Sequence, residues 1–123
     1  MAASTVNPAV KFIKYWLPVI IYAILIFCLS SIPGKQIPSL FIYQDVVFHI
    51  LEYAIFALLI IRALKAYNPG MVYSMRFLLT ICLVILYAAG DEFHQSFISG
   101  RCPSLIDITY DGIGAFIMSI IYR

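Results

Sequence analysis

Four apolar stretches, at about 15–29, 42–64, 77–93 and 105–122, take up most of this 123-residue chain, with short turn-rich segments between them. A helix needs roughly 20 residues to cross the hydrocarbon of a bilayer, so the chain is filled by four crossings. The expected fold is therefore all-α: a single domain over residues 1–123 with four antiparallel transmembrane helices. Composition agrees, since 63% of the residues are hydrophobic and 11% charged, whereas soluble domains carry roughly 25% charged residues. No length remains for a soluble catalytic domain. A net charge of +2 without a basic run excludes nucleic acid as a partner and leaves the lipid bilayer as the expected one.

Lys11 and Lys14 before the first apolar stretch resemble the opening of a signal peptide, but no small-residue cleavage site follows. The stretch reads as a retained helix, with Trp16 at the interface and Pro18 near the helix start. The loop "SSIPGKQIPS" (30–39) and the Asn68-Pro69-Gly70 turn close the first and second helical pairs. Cys28, Cys82 and Cys102 lack metal-ligand spacing and read as small buried side chains. A Cys28–Cys102 disulfide requires both residues to lie at one membrane face.

Basic residues give an orientation. Lys11, Lys14, Arg62, Lys65, Arg76 and Arg123 fall at one end of the predicted bundle, and only Lys35 and Arg101 at the other. The excess of Lys and Arg marks the cytoplasmic side, which puts both termini in the cytoplasm. Every acid of the chain, namely Asp45, Glu52, Asp91, Glu92, Asp107 and Asp111, falls at the opposite, extracytoplasmic end, together with His49, His94 and Gln95.

Asp45, His49 and Glu52 are spaced i, i+4, i+7 and share one helical face. Asp107 and Asp111 share another, with Gly114 beneath them as a close-packing residue. An ionisable side chain within a membrane costs a few kcal/mol unless hydrated or paired, and so marks a functional site by default. For any one residue the simpler reading is an interfacial network in which Arg101 and the histidines neutralise acids. For six acids on three stretches that reading weakens, because a helix cap needs only one carboxylate.

Three chemistries fit the set. His49, Asp45, Asp91 and His94 carry the donor types that bind a divalent cation of unassigned identity. His49 and Glu52, supported by Asp91 and Glu92, are the candidates for proton transfer in catalysis or in proton-coupled or ion-coupled transport. Arg101, with Gln95, Tyr53, Asp107 and Asp111, is a candidate set for holding a polar substrate. A four-helix bundle is narrow for transport, which would call for a homo-oligomer.

The segments "LSSIPG" (29–34), "DVVFHILEY" (45–53), "YAAGDEFHQSFISGR" (87–101) and "DITYDGIG" (107–114), taken in this order, resemble the VanZ-like family of small bacterial membrane proteins. The resemblance implies a multi-pass protein of the bacterial cytoplasmic membrane that acts in the cell envelope. The founding member of that family is associated with low-level resistance to the glycopeptide antibiotic teicoplanin. The family's recurrent polar positions correspond here to Asp45, His49, Tyr53, Asp91, Glu92, Gln95, Arg101, Asp107 and Gly114. Val46 stands where a lysine commonly follows the aspartate, Asp111 where asparagine is frequent, and Met118 where a second glycine often follows. The first two departures make the polar end more acidic. The function expected is binding or modification of an envelope molecule, such as a lipid-linked cell-wall intermediate or a glycopeptide-related ligand. The alternatives are a small coupled transporter or a non-catalytic envelope accessory protein.

Overall fold

A computed structural model describes residues 6–123 as four helices with no strand among them: α1 Pro8–Ser30, α2 Gln44–Tyr67, α3 Tyr73–Gln95 and α4 Leu105–Ile121. The first three are 23, 24 and 23 residues long and apolar enough to cross a membrane. The fourth has 17 residues, or about 25 Å at ~1.5 Å per residue. Their outward surfaces are apolar, with Ile20, Ile21, Ile24, Leu78, Leu86, Ile117 and Ile120 all exposed.

Helix α1 starts earlier than the apolar pattern alone predicts, because Asn7 caps it and Pro8 occupies its first turn. The Asn7 side chain accepts from the Ala9 N–H at 2.9 Å, and proline at that position forgoes an N–H that has no helical partner anyway. Pro18 consequently lies inside the helix and not near its start. The apolar pattern located the apolar residues of the helix; the polar cap added two turns.

The core is small. Val19 and Ile26 of α1, Tyr53, Phe56, Ala57 and Ile60 of α2, Val84 and Ala88 of α3, and Ala115 of α4 meet along the bundle axis. Small residues let α2 and α4 approach closely. A Cβ on Gly114 would lie 2.2 Å from the Ile50 carbonyl oxygen and 3.0 Å from the Ala54 nitrogen, so no other residue fits without moving a helix. The packing role expected of Gly114 is thus explicit. The cysteines depart from expectation: Cys28, Cys82 and Cys102 are all free and exposed.

Contacts at the two ends are of opposite character. At one end Lys11 lies over the Tyr67 ring at 4.8 Å, Lys65 over Tyr122 at 4.2 Å and Arg123 over Tyr73 at 5.4 Å. Lys65 also donates to the Arg123 carbonyl. Trp16 packs edge-on against Tyr67 in the same layer. At the other end the loop after α1 meets the loop after α3, where the Gly34 N–H donates to the Ser99 carbonyl at 3.0 Å. A Cβ on Gly34 would fall 1.9 Å from the Gly100 carbonyl oxygen, and Gly100 itself has φ +75°. Glycine is required on both strands of this crossing. It joins "LSSIPG" to "SFISGR" and sets the frame in which the polar side chains stand.

A polar cleft at one end of the bundle

Helix periodicity puts Asp45, His49 and Glu52 on one face of α2, and the Gly114 contact fixes the height at which α4 meets that face. The result is a cross-helix pair: His49 Nδ1 lies 2.7 Å from Asp111 Oδ1. Asp111 is only 1% exposed, and this is the one ion pair among the described residues. A hydrogen bond from Nδ1–H to the carboxylate holds the imidazole orientation and leaves Nε2 for other partners.

Helix α3 brings two neighbouring carboxylates from its last turns. Asp91 is buried and accepts from Ser30 Oγ of α1 at 2.6 Å and from Gln95 Nε2 at 3.2 Å. Glu92 points the other way, toward α4, where its Oε2 accepts from the Ser104 N–H at 2.9 Å. Ser104 is itself the N-cap of α4, so Glu92 adds a negative charge at a helix N-terminus, which favours it. Its other oxygen, Oε1, is buried without a hydrogen-bond partner, as is the hydroxyl of Tyr53.

Two adjoining cavities open between these groups. One, of about 440 Å³, is lined by His49, Glu52, Asp91, Gln95 and Arg101 together with Tyr22, Leu29, Phe48, Leu51 and Ile55. Leu29, Phe48, Leu51 and Ile55 are also exposed on the outside of the bundle, so this cavity opens through its apolar flank between α1 and α2. The second, of about 560 Å³, lies among the loops and is bordered by Ser39, Tyr43, Gln44, Cys102 and Asp107. Asp45, His49, Gln95 and Arg101 line both cavities. The shape is a single cleft with an apolar side slot and a polar mouth.

The candidates from the sequence divide accordingly. Asp45, His49, Glu52, Asp91, Gln95 and Arg101 line the cleft, and Asp107 borders its mouth. Tyr53, Glu92 and Asp111 stand behind the lining. His94 lies apart: its Nε2 is 2.9 Å from Ser31 Oγ and its ring stacks on Phe27 at 4.2 Å. Of the proposed cation ligands, only His49 belongs to the group whose donor atoms lie within 4.8 Å of one another, which is His49, Glu92 and Asp111. Asp45, Asp91 and His94 are outside it.

Arg101 does not pair with an acid. Its Nε and Nη2 donate to the carbonyls of Ile32 and Leu29 at 2.9 and 3.0 Å, closing the end of α1. Residues that drew no attention in the sequence complete the site. Ser30 anchors Asp91, Ser31 meets His94, and buried Gln44 fastens the loop before α2 by accepting from the Leu40 N–H at 2.6 Å and donating to the Pro38 carbonyl at 2.8 Å. For the two serines the signal was their place in "LSSIPG", beside the glycine that touches the opposite loop.

The VanZ/LLP1 family model matches residues 15–123, which include all four helices' polar ends and both loops of the cleft. No curated protein and no solved structure matches the chain.

Proposed function

The chain belongs to the VanZ/LLP1 family, and from that premise we propose that it is a multi-pass protein of the bacterial cytoplasmic membrane that binds the headgroup of an envelope amphiphile in its polar cleft. In this reading all four helices cross the bilayer, both termini lie in the cytoplasm and the cleft faces the extracytoplasmic leaflet. The distribution of basic residues supports that orientation.

The observation that carries the proposal is the join between an apolar side slot and a polar mouth. A water-soluble ligand needs no opening toward lipid, and a plain acyl chain needs no carboxylates. A molecule with both parts uses the whole cleft: its tail leaves past Leu29, Leu51 and Ile55 while its head meets Asp45, His49, Glu52 and Gln95. Those groups are mostly acceptors, and Arg101 is engaged with backbone carbonyls. The complementary head is therefore rich in hydroxyl or amine donors, as in a lipid-linked cell-wall sugar. Glu52, which lines the slot, is the acceptor offered to such a head.

The test is a titration of the full-length protein in nanodiscs with a lipid-linked cell-wall intermediate, read by native mass spectrometry. Saturable one-to-one binding that falls about tenfold in Glu52→Gln, as expected for one hydrogen bond of roughly 1.4 kcal/mol, supports the proposal. Folded protein that takes up the intermediate no better than the surrounding lipid refutes it.

A further inference from the structure

At the back wall of the cleft, three helices converge on one point. His49 of α2, Glu92 of α3 and Asp111 of α4 each bring a donor atom within 4.8 Å of the other two. Asp111 is 1% exposed and Glu92 5%. Two carboxylates and one imidazole share this confined space, and among the described residues no Lys or Arg forms an ion pair with any of them. Uncompensated buried charge is costly.

The second observation is independent of that cluster's charge. The hydrogen bond from Ser104 accounts for Glu92 Oε2, whereas Glu92 Oε1 is buried with no partner at all. Buried polar atoms of folded proteins are nearly always satisfied, and an exception calls for an unseen water or ion. A cation would give Glu92 Oε1 a partner and balance the two carboxylates at the same time.

We infer that His49, Glu92 and Asp111 form a binding site for a divalent transition-metal ion, which would displace to solvent the proton shared by His49 Nδ1 and Asp111 Oδ1. One imidazole with two carboxylates suits Zn²⁺ or Mn²⁺ better than Mg²⁺ or Ca²⁺, which favour all-oxygen sets. Three protein ligands leave positions open toward the cleft, which His49 borders. The ion would tie α2, α3 and α4 together beneath the cleft and supply the positive charge that Arg101 does not. The site stands on its own residues and does not depend on the amphiphile reading.

The test uses the full chain in detergent, stripped with chelator, desalted and titrated with Mn²⁺ by electron paramagnetic resonance and with Zn²⁺ by calorimetry, with no lipid ligand present. One ion per chain is expected, with affinity lowered about tenfold or more by Glu92→Gln and by Asp111→Asn. His94→Gln, at a histidine outside the group, leaves binding unchanged. Folded wild-type protein that binds no stoichiometric ion overturns the inference, and this result does not require any variant to fold. So does binding that His94→Gln abolishes and Glu92→Gln leaves intact.

Discussion

Gly114 of α4 lies against the backbone of α2 so closely that a methyl group there would sit 2.2 Å from the carbonyl oxygen of Ile50. Ile50 follows His49 directly, and Asp111 lies one turn before Gly114 on α4. The glycine contact and the His49–Asp111 pair are thus two rungs of one interface, and the spacing that packs the helices also positions the polar groups.

Gly114→Ala should therefore cost about 1–3 kcal/mol, the usual range for overpacking a close contact, and should disturb the site as well. Unfolding in mixed micelles gives the stability. Ligand binding weakened in the same variant would show that helix separation governs the cleft, whereas wild-type stability would show that α4 does not meet α2 in this way.

The His49–Asp111 pair makes a second test. Removing Asp111 leaves the His49 ring N–H without its acceptor, so Asp111→Ala should lose on the order of 1–3 kcal/mol. In a double-mutant cycle with His49→Gln, Asp111→Asn and their combination, the losses should fall short of additivity by about 0.5–3 kcal/mol. Strict additivity would mean that the two side chains do not interact.

Arg101 illustrates a role that residue type alone conceals. With two donors on the carbonyls of Leu29 and Ile32, it shapes the loop that frames the cleft. Lysine lacks the planar fork needed to reach both. Arg101→Lys should therefore behave almost like Arg101→Ala, and both should speed amide hydrogen exchange across residues 31–37, read by mass spectrometry. Unchanged exchange would return Arg101 to the candidates for holding a polar substrate.

The side slot makes a further distinction. Leu51 is 55% exposed on the flank and also lines the cavity. Leu51→Trp should block an amphiphile arriving through lipid while leaving a water-soluble headgroup fragment free to bind at the mouth. If both ligands bind as in the wild type, the slot is not the route.

Much of this arrangement was legible in the chain itself. The i, i+4, i+7 spacing of Asp45, His49 and Glu52 fixes one face of α2 whatever the neighbours do, and the clustering of acids at one end is a plain fact of sequence order. The partners across helices were not legible. Whether Asp111 or Asp107 meets His49 depends on the height at which α4 docks, and that follows from the Gly114 contact and not from any periodicity within α4. Ser30 and Gln44 escaped notice for a related reason: a serine or glutamine near a helix end usually serves its own turn. Only the fold shows Ser30 reaching Asp91 on α3. Asn7 and Pro8 likewise lengthened α1 through local capping, which the count of apolar residues does not register.

The side of the membrane on which the cleft opens is the point on which its proposed role in the envelope rests. Cys102 borders the polar mouth, is exposed and is free, so it can report directly in a protein carrying Cys28→Ser and Cys82→Ser. A membrane-impermeant maleimide applied to intact cells, or to spheroplasts where an outer membrane bars access, should label Cys102 fully. Labelling that appears only after the cytoplasmic membrane is permeabilised would put the acidic end in the cytoplasm and contradict a cleft that receives envelope molecules.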